Sequence, residues 1–221
     1  MSRVCSINKL SLLLVFFLPL LHGTDLSSYR GFQLGMTLSA AVKHSGMDIS
    51  EVTTIHQRPA RIQELTWDPE RFSSSPTEAV QQVLLSFYNG QLFRMVIDYD
   101  TEKVKGLTSD DIIAAVAAKY GAPARSGVTF VLPADFAEDT QQVVARWEDA
   151  DNSFSLVQLP YGPNFQLVVV SKRLSALTDA ALAEGARLDA KEAPGLLKLK
   201  EESDKSDLSK ERLVNKAHFR P

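Results

Sequence analysis

Two glycine–threonine turns stand 71 positions apart in this chain, Gly35-Met36-Thr37 and Gly106-Leu107-Thr108. Farther along, the run Tyr88-Asn89-Gly90-Gln91-Leu92-Phe93-Arg94-Met95-Val96-Ile97 has a counterpart in Pro160-Tyr161-Gly162-Pro163-Asn164-Phe165-Gln166-Leu167-Val168-Val169. Gly90 falls on Gly162 and Phe93 on Phe165, both 72 positions apart. Landmarks of different kinds thus agree on the offset to within one residue. Such a period predicts a supersecondary unit built twice. It fixes an architecture and carries no chemistry of its own.

The first unit starts near Tyr29. Thr37 can cap a short helix with Leu38, Ala41, Val42 and Ser45 on one face, and Gly46 is a suitable terminator. Val52 to His56 and Ile62 to Trp67 read as short strands around the breaker Arg58-Pro59. A polar loop from Asp68 to Thr77 follows. Val80 to Tyr88 and Gln91 to Tyr99 flank Asn89-Gly90, which suits the positive φ angles of a type I′ turn. A two-residue turn pairs Phe87 with Leu92, Leu85 with Arg94 and Val83 with Val96. Leu84, Tyr88, Phe93, Met95, Ile97 and Tyr99 then share the other face. Both faces are largely apolar, so both need cover: the other unit, the final helix, the tail or a partner.

The second unit starts at Gly106. Thr108 and Asp111 form a capping-box pattern ahead of Ile112, Ile113, Val116, Ala117 and Tyr120 at helical spacing. Gly121 and Pro123 end that helix. Val128 to Leu132, Gln142 to Trp147, Phe154 to Leu159 and Phe165 to Ser171 read as strands. A final helix runs from Leu174 to Leu188 with Leu174, Leu177, Ala181 and Leu188 on one face. The expected fold is α+β: two tandem helix-plus-antiparallel-sheet repeats at 24–105 and 106–190, the second carrying the C-terminal helix. A charged flexible tail covers 191–221. That tail alternates charges with few apolar residues, which offset little of the ~1–2 kcal/mol per residue of ordering cost. It is read as disordered or as a loose solvated helix.

Ahead of both units, residues 1–23 read as a signal peptide. Arg3 and Lys9 precede an apolar run from Leu10 to Leu21, and Gly23 offers a small residue for cleavage. A twelve-residue helix spans about 18 Å, short of the ~30 Å hydrocarbon core. Cleavage would remove Cys5, the only cysteine, leaving no thiol for a disulfide or a metal. The expected location is periplasmic or secreted, with no membrane span after cleavage. Between Thr24 and Ala190 the chain carries 14 basic and 21 acidic residues, a net of −7. A body of that charge repels phosphate backbones, which argues against nucleic acid as a partner.

The turns Gly35-Met36-Thr37 and Gly106-Leu107-Thr108, the helix exit Tyr120-Gly121-Ala122-Pro123 and the two glycine hairpins carry a likeness. From Gly31 to Ser171 the chain resembles the small-protein-A lipoproteins of bacterial outer-membrane assembly and their tandem relative, the β-lactamase-inhibitory protein. The resemblance implies helices packed on an antiparallel sheet. Two departures stand out: the lipidated cysteine of the former and the disulfides of the latter have no counterpart here. Gly106 to Pro123 and Trp147-Glu148-Asp149 are also similar to uncharacterised secreted bacterial proteins, a likeness that implies no activity.

Chemical motifs are sparse. The sequence holds no G-x-S-x-G, H-E-x-x-H or glycine-rich phosphate loop. Ser6 and Lys9 have S-x-x-K spacing inside the leader, a chance match. His44, His56 and His218 are not at metal-ligand spacing. Asp110-Asp111 fits a helix start. Asp98, Asp100 and Glu102, like Glu148, Asp149 and Asp151, fit solvated turns better than a cation site, since no calcium-type loop accompanies them. No catalytic, cofactor-binding or metal residue is assigned, and the binding residues stay unknown. The function expected is an exported, non-catalytic protein-interaction module of the bacterial cell envelope with an envelope protein as partner. The alternative is a small-ligand carrier or enzyme using a cleft between the repeats.

Overall fold

The computed structural model describes residues 25–71, 79–126, 142–160 and 164–220. The expected leader, the strand Val128 to Leu132, most of the loop before Val80 and the turn at Gly162 lie outside these residues.

A tight hairpin, β1 (Ser28–Tyr29) and β2 (Phe32–Gln33), leads into helix α1 (Leu38–Ser45). Thr37 caps α1, its hydroxyl accepting from the Ala40 N–H at 3.3 Å, and Gly46 ends it at φ 72°. Four strands follow: β3 (Thr53–His56), β4 (Ile62–Trp67), β5 (Val80–Tyr88) and β6 (Gln91–Tyr99). After one turn of helix, α2 (Thr101–Val104), helix α3 (Ser109–Tyr120) opens on the expected box. The Thr108 N–H donates to Asp111 Oδ2 at 2.8 Å, and the Asp111 N–H returns to Thr108 Oγ1 at 3.2 Å. Then come β7 (Arg125–Ser126), β8 (Gln142–Glu148), β9 (Asn152–Gln158), β10 (Phe165–Ser171) and α4 (Lys172–His218).

The fold is therefore α+β with a long C-terminal helix. Strands β3 to β10 form one antiparallel sheet in the order β3-β4-β5-β6-β10-β9-β8-β7. One face carries α1 and α3. Its core joins Phe32, Leu65, Leu85, Met95, Trp147 and Phe154 to Ala41 of α1 and to Ile112, Val116 and Tyr120 of α3. Trp147 is fully buried because its one polar atom is satisfied: Nε1–H donates to the Gly121 carbonyl at 2.7 Å, at the end of α3.

The β5–β6 hairpin corrects one expectation. Tyr88 pairs with Gln91 and Phe87 with Leu92 as the turn requires, but Ser86 then pairs with Arg94 and Leu85 with Met95. A bulge leaves Phe93 without a partner on β5, and every residue beyond it changes face relative to simple alternation. Leu92, Met95 and Ile97 lie in the helix-side core with Val83, Leu85 and Phe87. Phe93 turns to the opposite face, against Ile62 and Leu174, with Tyr88 and Leu182 at the margin. Phe165 stays in the helix-side core beside Leu167 and Val169. Both phenylalanines are buried, on opposite faces.

Helix α4 covers the upper part of that opposite face. Its contact line is Leu174, Thr178, Ala181 and Gly185; Leu177, expected inside, is exposed. Thr178 is tolerated there because its hydroxyl donates to the Leu174 carbonyl at 2.9 Å. The lower part of the face holds a second cluster, Val96, Val143, Val157 and Val168. The helix also runs past its expected end at Leu188, through Pro194, to His218. Residues 191–218, read as a disordered or loosely helical tail, are helix, with every side chain exposed. Lysine, glutamate, leucine and arginine favour helix without burial. Pro194 removes one N–H, and Ala190, whose carbonyl it would have served, is exposed.

Candidate interaction surface

The seat of α4 is built from three features. Gly185 is the closest approach: a Cβ there would lie 2.5 Å from His56 Nε2 and 3.1 Å from the Arg58 carbonyl oxygen. A side chain there would have to displace the His56 ring and crowd the Arg58 backbone, so glycine lets the helix settle at that depth. One turn on, Arg58 grips the helix. Its Nη1 donates to Glu192 Oε1 at 3.1 Å, and its Nη2 donates to Glu192 Oε2 and to Asp189 Oδ1, each at 2.8 Å. All three side chains are about half exposed, so the pairing fixes direction more than it adds stability. At the other end Lys172 Nζ donates to the Asp149 carbonyl at 2.6 Å.

Beyond this seat the helix leaves the sheet. From Lys191 to His218 it extends about 40 Å at 1.5 Å per residue. Leu196, Leu197, Leu199, Leu208, Leu213 and Val214 on this arm are each more than half exposed. They are the main group of large exposed apolar side chains among the described residues. Ile49, just ahead of β3, and Ile55, on that outer strand, are also more than half exposed. There a bulge at Ile55 interrupts an otherwise open sheet edge. Beside it a shallow groove of about 580 Å³ runs between the start of α1 and the Asn89-Gly90 turn, lined by Thr37, Ile49, Gln57, Arg61 and Asn89 among others.

The titratable residues singled out in the sequence are distributed, not gathered. His44 Nε2 lies 2.9 Å from the Arg30 carbonyl, with its ring edge-on to Phe32. His56 sits under Gly185 on β3, and its buried Nε2 meets no partner. His218 Nδ1 lies 2.8 Å from the Val214 carbonyl at the tip of α4. Several of the carboxylates accept from the backbone. Asp100 accepts from the Glu102 and Lys103 N–H groups, and Asp149 from those of Asp151 and Asn152. Asp98 accepts from the side-chain amides of Gln82 and Gln166, at 2.8 and 2.6 Å. The Thr108 backbone N–H, then its hydroxyl, holds Asp111 below the usual carboxylate range. No group of three potential metal ligands occurs among the described residues.

Sequence reasoning missed Arg58, seen there only as part of a breaker, and the polar row beneath α4. In that row Ser86 donates to Glu64 at 3.2 Å and pairs across the ladder with Arg94. Burial pushes the Arg94 guanidinium down, opposed by the charge of Glu64. The sole signal was a lone arginine between Phe93 and Met95. No helix among the described residues is long and apolar enough to cross a membrane. No family model, curated protein or solved structure matches the chain.

Proposed function

We propose that this protein is an exported, non-catalytic interaction module of the bacterial cell envelope, acting through the free arm of α4. The observation that carries the reading is a row of exposed leucines on a helix whose root is fixed by Gly185 and Arg58. A large exposed apolar surface on a rigid support marks a place where another macromolecule sits. The body supplies the support and the arm supplies the contact.

The body itself is read as two fused copies of one unit. Val96 pairs with Val168, and these residues are 72 positions apart, the offset read from the sequence. Around them Met95 pairs with Val169 and Ile97 with Leu167, as a two-fold axis through the valine pair requires. Gly35 and Gly106 enter the unit helices at φ 85° and 82°, each two residues ahead of a threonine cap. This arrangement favours the small-protein-A and β-lactamase-inhibitory-protein likeness at the level of architecture. It also weighs against the alternative of a ligand carrier or enzyme, since a hydrogen-bonded ladder joins β6 to β10 where a cleft was required.

Export is tested by N-terminal sequencing of protein recovered outside the cytoplasm, which should begin near Gly23 or Thr24. Contact through the arm is tested by affinity capture from envelope extract. The full chain should retain a stoichiometric protein that a chain truncated after Pro194 loses. Equal capture by both would remove the arm from the argument. A co-purified small molecule in place of a protein would favour the carrier reading.

A further inference from the structure

Three of the arm's exposed leucines, Leu196, Leu199 and Leu213, lie on one heptad stripe, and Leu197, Leu208 and Val214 lie off it. Leu196, Leu199, Ser203, Ser206, Lys210, Leu213 and Ala217 recur at alternating intervals of three and four, which puts them on one stripe of α4. Such a stripe accepts a second helix with the same pattern, and charge decides the direction. In a parallel pair Lys210 would face Lys210 of the other copy, and Glu202 would lie beside Asp207: like charges at both places. In an antiparallel pair Leu196 faces Leu213, Ser203 faces Ser206, the stem of Lys210 lies over Leu199 with no second lysine opposite, and Lys200 lies beside Asp207, each contact made twice by symmetry. The opposed helix dipoles also favour this direction.

The length of the arm agrees. With Leu196 opposite Leu213, His218 of one helix lies next to Lys191 of the other. Lys191 lies between the last two residues of the seat, Asp189 and Glu192, both held by Arg58. The overlap therefore uses the free arm and ends at the seat, which sets the two bodies at opposite ends of the pair. Asp207 already accepts from Lys210 of its own helix at 3.0 Å, and a carboxylate has further lone pairs for a second lysine.

We propose that the arm of α4 pairs with the arm of a second copy of this chain, antiparallel, to form a dimer. The proposal rests on the reading of the arm as the contact surface and names its occupant. Sedimentation equilibrium on the purified chain should give about twice the mass of one chain. Leu213→Glu should shift it to monomer. Lys200→Asp and Asp207→Lys should each weaken the dimer about tenfold or more, and the two changes together should restore it. Direction is read by cross-linking in a Cys5→Ser background. Gly195 faces open space, so Gly195→Cys is accommodated. Mixed with Lys216→Cys protein, it should be joined by a short bis-maleimide, since the two positions lie side by side in the antiparallel pair. Either protein alone should not cross-link, its two thiols being about 30 Å apart along the axis. A wild-type monomer at millimolar concentration, no rescue by the double swap, or cross-linking of Gly195→Cys to itself would overturn the proposal. Monomeric protein that still captures an envelope partner through the arm would overturn it while leaving the broader reading intact.

Discussion

Replacing Phe93 by alanine tests the register of the central hairpin and the attachment of α4 together. Phe93 is 3% exposed and packs on Ile62, Leu174, Tyr88 and Leu182. Truncating a phenylalanine at such a site removes its transfer free energy and leaves a hole that surrounding strands cannot fill, a loss of ~3–5 kcal/mol. For a domain of this size that corresponds to a fall of about 6–20 °C in the thermal midpoint. The partner of the loss is more telling than its size. With the bulge, Phe93 shares a cluster with Leu174 and is separated by the sheet from Met95. A double-mutant cycle of Phe93→Ala with Leu174→Ala should show coupling of ~0.5–3 kcal/mol, and one with Met95→Ala much less. Urea unfolding of the five variants supplies both numbers. A loss below ~1 kcal/mol, or stronger coupling to Met95 than to Leu174, would refute the bulged register.

Three further outcomes are expected. Gly90→Val should destabilise the protein by more than ~1–2 kcal/mol from backbone strain alone, because Gly90 sits at φ 78° with open space around it; an unchanged melt would contradict the turn geometry. At a concentration low enough for monomer, truncation after Pro194 should leave the thermal midpoint nearly unmoved, since the residues removed are exposed and Arg58 keeps both its carboxylates; a fall of many degrees there would mean the arm docks on its own body. Asp48, Glu51 and Asp111 are all held low, first by backbone N–H donors, so the stability they add is complete above the unfolded values of ~4 and is lost as pH falls through the folded ones. Asp111→Asn should therefore flatten part of the decline in urea midpoint below about pH 4; acid profiles of equal slope would exclude that role.

Local chemistry was legible in the sequence where a side chain or a glycine decides the backbone. Strands β4, β5 and β6 end where the apolar runs end, and Asn89 and Gly90 take the positive φ angles, 47° and 78°, that their residue types permit. The Thr108–Asp111 box formed as the spacing requires. The bulge was not legible, because Leu92, Phe93, Met95 and Val96 are all apolar and alternation cannot say which one is extra. The helical arm was hidden for another reason. A segment that buries nothing leaves only propensity to argue from. The seat of α4 depends on Gly185 and Arg58 meeting across more than a hundred residues, and no local pattern encodes such a meeting.

The strand order has a consequence for the timing of assembly. Strand β10 is the last to be made, yet it lies in the middle of the sheet, between β6 and β9. Until it emerges, β6 is an open edge from Arg94 to Asp98, the five residues that β10 pairs, with Met95, Val96 and Ile97 between the two charges. Tyr99 and Phe165 are 66 positions apart. At ribosomal rates of ~5–20 residues per second, that interval lasts about 3–13 s. During it the half-made sheet offers neighbouring chains a template, guarded only by the charges of Arg94 and Asp98. The centre of the sheet is closed to strangers only once β10 has been made.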